Sequence, residues 1–308
     1  MRILRHPGRI DVARGPRVIT LGNFDGVHLG HQEILRRAVD RAARANGIPI
    51  AVSFYPHPAV VLAPARAPLL LTTLRQRVER LAAQEITLLV LYHFTRRFAA
   101  VEAERFVLDY LVGALGVSQL VVGHDVGFGN RRGGNADLLE DMGRRIGFEV
   151  EVVSPVEAEG LVVSSSAIRA AIHSGDLANA ARMLGRPYSV GGRVVHGHHR
   201  GAQIGFPTAN LRLHGIQLPP DGVYAVRARI GGELVPGVAN VGMKPTFGDR
   251  ERTVETHLFE FGADLYGRRI EVEFAARLRE ERKFPSVDAL VRQIRDDANA
   301  ARRLLGVR

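Results

Sequence analysis

The sequence predicts two domains: a doubly wound α/β domain on a parallel sheet over residues 1–186, and a compact antiparallel β-barrel with a terminal helix over residues 187–308. Three observations carry this. The chain has 308 residues, more than one hydrophobic core usually organises. Through about residue 156, short β-rich apolar runs alternate with stretches of helical periodicity, the order that a helix-covered parallel sheet requires. Beyond the helix-breaking segment Gly185-Arg-Pro-Tyr188, strand-like runs lie between Gly and Pro turns, with no helical stretch long enough to alternate with them.

In the first domain, strands are expected over 17–22, 48–55, 86–93, 118–123 and 149–155. Helices are expected over 31–46, 73–84, 101–115 and 135–146, several of them closing on Gly. Two short helical stretches, near 166–173 and 176–184, lead to the boundary. The barrel should include strands over 222–230 and 254–261. The terminal helix should open at Ser286, whose hydroxyl suits an N-cap, and turn Leu290, Ile294 and Leu304 inward.

Composition narrows the function classes. Hydrophobic residues make up 46% and charged residues 24%, which supports a packed core and argues against wholesale disorder. No apolar run approaches the roughly 20 residues that span a bilayer, and MRILRHPGRI lacks a signal-peptide core, so a cytoplasmic protein without a membrane partner is expected. The absence of Cys excludes disulfides, thiol nucleophiles and thiolate zinc sites. The net charge is +10, but the arginines are spread along the chain and lysine occurs only at Lys244 and Lys283. With no basic tail or block, no nucleic-acid partner is expected; the charge suits phosphorylated ligands in general.

The segment Leu21-Gly-Asn-Phe-Asp-Gly-Val-His-Leu-Gly-His31 follows a predicted strand and enters a predicted helix, where α/β proteins commonly bind phosphates. Gly22, Gly26 and Gly30 permit close backbone approach. His28 and His31 are one helical turn apart, which sets both imidazoles on one side beside helix amides; taken alone, such a pair also suits a cap or a surface. Ser164-Ser-Ser-Ala-Ile-Arg169 offers hydroxyls to cap a helix and an arginine to meet phosphate. Ser53-Phe-Tyr-Pro-His-Pro58 and Val122-Gly-His-Asp-Val-Gly-Phe-Gly129 begin at strand ends that should face the same crevice. In the barrel, Gly205-Phe-Pro-Thr-Ala-Asn210, Val254-Glu-Thr-His-Leu258 and the Gly-rich Gly197-His-His-Arg-Gly-Ala202 are the polar motifs. Strand alternation puts Glu255 and His257 on one face, Val254 and Thr256 on the other.

The string GNFDGVHLGH resembles the signature of the nucleotidyltransferase superfamily, and its FDG-containing form is similar to that of the bacterial bifunctional riboflavin kinase and FAD synthetase family. The Ser164–Arg169 motif, the GFPTAN and VETHL pair, Leu265-Tyr-Gly and Leu278-Arg-Glu-Glu-Arg-Lys-Phe284 extend the resemblance over nearly the whole chain. It implies a Rossmann-like, nucleotidyltransferase-like first domain that adenylylates FMN to FAD with release of pyrophosphate. It implies a riboflavin kinase barrel that phosphorylates riboflavin to FMN. The ligands implied are ATP, riboflavin, FMN and FAD, with Mg2+ as cofactor.

Residue by residue, the resemblance implies that His28, His31 and Arg169 serve adenylyl transfer, with Gly22, Asn23, Phe24, Asp25, Gly30, Ser164, Ser165 and Ser166 around the nucleotide. His57, Asp125 and Phe128 would meet flavin. In the barrel it implies Glu255 as the base that takes a proton from the ribityl hydroxyl, Thr208 and Asn210 as hard oxygen ligands for Mg2+, and Arg200 and Gly201 in a flap over the nucleotide. Tyr55 and Val126-Gly127 depart from the family pattern, which has an acidic residue and Phe-Arg there. Two other classes fit parts of the sequence: an RNA-directed enzyme with a similar histidine loop, and a non-catalytic flavin-binding protein. Turnover of riboflavin with ATP separates all three.

Overall fold

The computed structural model describes residues 1–8, 10, 15–196, 201, 204–245 and 250–307. The chain forms two compact units, Met1–Pro68 with Leu74–Ser164, and Leu69–Thr73 with Ser165–Arg308.

In the first unit, β1 (Arg2–Arg5), β2 (Arg17–Leu21), β3 (Ile48–Tyr55), β4 (Leu88–His93), β5 (Gln119–Gly123) and β6 (Glu149–Val153) form one sheet in the order β1-β4-β3-β2-β5-β6. Every pairing in it is parallel. Alternation makes the sheet two-sided. Ile50 and Val52 face one core with Phe106 and Leu111, while Ala51 faces the other with Leu35 and Leu81. Helix α1 (Leu29–Arg44) buries Leu35, Ala38 and Ala42. The strand order runs outward in both directions from β2, so the chain leaves β2 at a topological switch point.

Two features differ from expectation. Strand β1 pairs with β4 at the sheet edge; its side chains are largely exposed, so RILR carries no apolar alternation to announce it. The helix expected over 101–115 is a single α-helical turn, Ala103–Phe106, running into a π-helical stretch, Val107–Ala114. Val107, Leu111 and Leu115 are all fully buried, and their spacing of four suits the wider turn.

The remaining helices of this unit that concern the site are α2 (Pro58–Leu62) and α3 (Leu74–Ala82).

The second unit opens with two helices, Ser165–Ser174 and Leu177–Leu184. A closed barrel follows. Strands Ser189–Val195, Ala209–Arg212, Gly222–Ile230, Glu233–Pro245, Arg250–Leu258 and Arg269–Arg279 all pair antiparallel around it. The short segment Leu69–Thr73 joins this unit because Leu70 N–H donates to Gly215 O at 2.7 Å and Leu70 O accepts from Gln217 N–H at 2.9 Å.

The terminal helix, Val287–Leu305, is capped by Ser286, whose Oγ accepts from Ala289 N–H at 3.2 Å. Ala301 and Leu305 seat it on Val223, Ala225, Val238 and Phe259 of the barrel. Leu304, expected inward, is 60% exposed; Leu305, one position round the helix, takes the buried face instead.

Asp297 on this helix is buried, and it accepts from Arg279 Nη2 at 2.8 Å, from Nε at 3.0 Å and from Gln293 Nε2 at 2.7 Å. Removing one partner of such a pair leaves an uncompensated buried charge. Asp297→Ala should therefore destabilise the barrel by about 3–5 kcal/mol, measured as a lowered urea midpoint.

Candidate active sites

Beyond β2 the chain makes a tight turn into α1. Gly22 N–H donates to Val52 O at 3.1 Å and Ser53 Oγ to Asn23 O at 3.4 Å, tying the turn to β3. Within it Phe24 (φ 50°), Gly26 (φ 87°) and Val27 (φ 43°) are left-handed. For Phe24 and Val27 that conformation costs on the order of 1–3 kcal/mol each. Both side chains are 1% exposed, buried with Leu35 and Leu81, and this anchorage holds the turn.

The turn delivers His28 as the N-cap of α1: its Nδ1 accepts from His31 N–H at 3.4 Å. The two imidazoles stack, with centroids 3.7 Å apart and planes 22° from parallel, and the Phe24 ring meets His31 edge-on at 5.3 Å. A side chain at Gly30 would press on the His28 ring at 3.3 Å and stand 3.7 Å from Val163 O. Gly30 thus lets the histidine pair close up, and it brings the residue before Ser164 against the same turn.

The His31 residue is half-buried, but its ring is enclosed, and Nδ1 has no hydrogen-bond partner among the described residues. Burial first, then positive charge at His28 and Arg77, holds the imidazole well below its ordinary range near 6.5.

Asp25 is 2% exposed, and Asn23 Oδ1 is buried without a partner among the described residues. His57 caps α2, its Nδ1 accepting from Ala59 N–H at 3.2 Å. Asp125 is exposed beyond β5, and its carbonyl accepts from Arg132 Nη2 at 3.3 Å. Phe128 is built into the core, 5.7 Å from the Phe106 ring. Ser164 ends the first unit, whereas Ser165, Ser166 and Arg169 lie on the first helix of the second. There Arg169 Nε donates to Leu69 O at 2.7 Å.

Arg77 was not singled out by any motif. It sits on the apolar stripe of α3 between Leu74, Val78 and Leu81 and is 1% exposed. A cation in the middle of an apolar helix face was the signal available in the sequence.

In the barrel, cross-strand register assembles the second site. Asn210 stands opposite Glu255, and Glu255 opposite Asn240, so the three share one face across adjacent strands. Val254 (0% exposed) and Thr256 (1%) fill the barrel interior, while Glu255 and His257 are half-buried on its outer side. His257 Nδ1–H donates to Pro207 O at 2.9 Å, fixing the chain just before Thr208. Asn240 Nδ2 donates to Glu281 Oε1 at 2.9 Å. No motif pointed to Asn240, whose place beside Glu255 comes from register alone.

Gly201 O accepts from Phe206 N–H at 2.8 Å, and a side chain there would run into Phe206 O. Arg200 lies outside the described residues. Among the described residues, no group of three His, Asp or Glu is placed to hold a metal. Hard oxygens at this site come from the half-buried Thr208 hydroxyl and the buried Asn210 amide, a partial set that suits a small cation bringing its own phosphate and water ligands.

The family model described as FAD synthetase matches residues 11–167, and that described as riboflavin kinase matches 184–305. The chain is 42% identical over 286 residues to the bifunctional riboflavin kinase/FMN adenylyltransferase of Haemophilus influenzae, covering 92% of each. It is 39% identical over 312 residues to that of Escherichia coli K12, covering 100% of this chain and 99% of the relative. A solved structure described as a macrolide-efflux protein from Streptococcus pneumoniae superposes with a TM-score of 0.86 at 34% identity, over 98% of this chain and 99% of that one.

The state of His31 has a consequence for stability. Its pKa is depressed in the folded chain, so the folded first unit binds fewer protons than the unfolded chain below about pH 6.5, and stability must fall as pH drops through that value. His31→Gln should flatten this fall, read from urea midpoints between about pH 7.5 and about pH 5.5.

Proposed function

The chain belongs to the bifunctional riboflavin kinase/FMN adenylyltransferase family, and on that premise we propose which residues carry each of its two reactions. It phosphorylates riboflavin to FMN and adenylylates FMN to FAD. We assign FAD formation to residues 1–186 and FMN formation to residues 187–308, in line with matches over 11–167 and 184–305. The efflux named for the streptococcal structure gains no support here: among the described residues, no helix is long and apolar enough to cross a membrane. Flavins and ATP as the ligands fit a cytoplasmic enzyme without a nucleic-acid or membrane partner.

The observation that carries the kinase assignment is the register that sets Asn210 and Asn240 on either side of Glu255. A primary alcohol is a poor nucleophile. The Glu255 carboxylate takes the proton of the terminal ribityl hydroxyl as that oxygen bonds to the γ-phosphorus of ATP and ADP leaves. Thr208 and Asn210 would hold Mg2+, which supplies charge neutralisation to the ATP phosphates when bound. Arg200 and Gly201 complete the nucleotide contacts.

Adenylyl transfer needs no base, because the FMN phosphate is already ionised. One of its oxygens bonds to the α-phosphorus of ATP while the bond to the β-phosphate oxygen breaks and pyrophosphate leaves. The protein's part is alignment and charge. His28 and His31 supply donors at the N-terminus of α1, with Gly22, Asn23, Phe24, Asp25 and Gly30 shaping the turn. Arg169 with Ser164, Ser165 and Ser166 offers further phosphate contacts, and His57 and Asp125, with Phe128 behind them, form the flavin side.

Incubation with riboflavin, ATP and Mg2+ should yield FMN, FAD, ADP and pyrophosphate by chromatography. Glu255→Gln keeps the shape but loses the basicity, and should slow FMN formation by at least about 10²-fold while FAD formation from supplied FMN persists. His31→Ala should do the reverse, impairing FAD formation severely and leaving riboflavin phosphorylation in place.

A further inference from the structure

Between the last barrel strand, Arg269–Arg279, and the terminal helix the chain runs through Glu280-Glu-Arg-Lys-Phe284. Glu281 in this segment is exposed, yet its neighbours are firmly held. On one side Arg279 is gripped by buried Asp297, Nη2 to Oδ2 at 2.8 Å and Nε to Oδ1 at 3.0 Å. On the other side Arg282 donates to Gln293 Oε1, and Gln293 Nε2 in turn donates to Asp297 Oδ1 at 2.7 Å. Both guanidinium groups also lie over the Phe284 ring, 5.6 and 5.1 Å from its centroid. Glu281 is thus bracketed by two arginines tied to the terminal helix. Its carboxylate rests on the bare backbone of strand Glu233–Pro245, where a side chain at Gly242 would collide with Oε1 and stand 2.8 Å from Cδ. There Oε1 accepts from Asn240 Nδ2 at 2.9 Å. Asn240 and Gly242 are two apart on one strand and share its outer face, with Asn240 opposite Glu255 and Gly242 opposite Thr253.

A carboxylate only accepts hydrogen bonds, so it can face only the NH2 end of an amide. From this geometry, and resting on the kinase reading of the barrel site, we propose that Glu281 is a positioning residue for riboflavin phosphorylation: by holding Asn240 Nδ2 it fixes which end of that amide faces the hydroxyl that Glu255 deprotonates. An unheld amide turns over and exchanges its donor and acceptor ends. Those ends are not equivalent beside a hydroxyl that is giving up its proton. The terminal helix thereby bears on the chemistry without a residue of its own at the site, since Asp297 and Gln293 hold the arginines on either side of Glu281.

The test measures kcat and KM for FMN formation, with FAD formation from supplied FMN by the same polypeptide as a control. Glu281→Ala should lower kcat by about tenfold, the lower end of the range for one hydrogen bond to a charged group. KM for riboflavin and ATP should be kept, because an interaction that acts on the reacting groups alone appears in kcat. Glu281→Gln still offers Asn240 Nδ2 an acceptor oxygen and should retain the wild-type rate to within about twofold. In an Asn240→Ala background Glu281→Ala should cost nothing further, since a residue that acts only through Asn240 then has nothing left to orient. An unchanged kcat in Glu281→Ala overturns the proposal. So does a Glu281→Gln enzyme as slow as Glu281→Ala, or a Glu281→Ala change that slows the Asn240→Ala enzyme as much as it slows wild type. The comparison of Glu281→Gln with Glu281→Ala decides even where Asn240→Ala does not fold. Wild-type protein that makes no FMN would instead defeat the underlying reading.

Discussion

A β-strand cannot turn one residue inward without turning the next one outward, and both sites follow from that constraint. In the parallel sheet, helices cover both faces, so Ile50, Ala51 and Val52 are all consumed by packing. Functional groups are left only the strand ends, beyond which the loops begin at Gly22, Pro56 and His124. In the barrel, one face of each strand fills the interior and the other is available. Val254 and Thr256 close the core, and Glu255 stands between Asn210 and Asn240 on the outer side because register allows nothing else.

The two sites differ electrostatically as their nucleophiles do. The first candidate site stacks two imidazoles at a helix N-terminus, an arrangement suited to the neutralisation and alignment that an ionised phosphate needs. Burial first, then charge at His28 and Arg77, holds the His31 pKa well below its ordinary range. The second candidate site sets the Glu255 carboxylate between the Asn210 and Asn240 amides, an arrangement suited to the proton acceptor that an alcohol needs. Each arrangement is held by residues of its own motif: Phe24 and Val27 offset the turn's strain by burial, and His257 holds the chain before Thr208.

Much of the fold was legible because period-two and period-3.6 patterns are local. Strand Ile48–Tyr55, helix Ala136–Ile146 and the Ser286 cap lie where the periodicity and the capping hydroxyl place them. Strand Arg2–Arg5 was invisible, since an exposed edge strand needs no apolar residues. Leu304 and Leu305 are adjacent apolar residues, and only packing against Phe259 and Ala225 chose between them. The motifs that name the chemistry, GNFDGVHLGH and the GFPTAN and VETHL pair, are contiguous and were readable for that reason. By itself, then, the sequence determined the two-domain layout, the helix caps and the residue types available for phosphate and proton transfer, all of which depend on neighbours along the chain. Only the tertiary structure decided that Asn240 stands beside Glu255, that Leu69–Thr73 belongs with the barrel and that Arg77 is buried, because these depend on close approach of residues far apart in sequence, which no local pattern encodes.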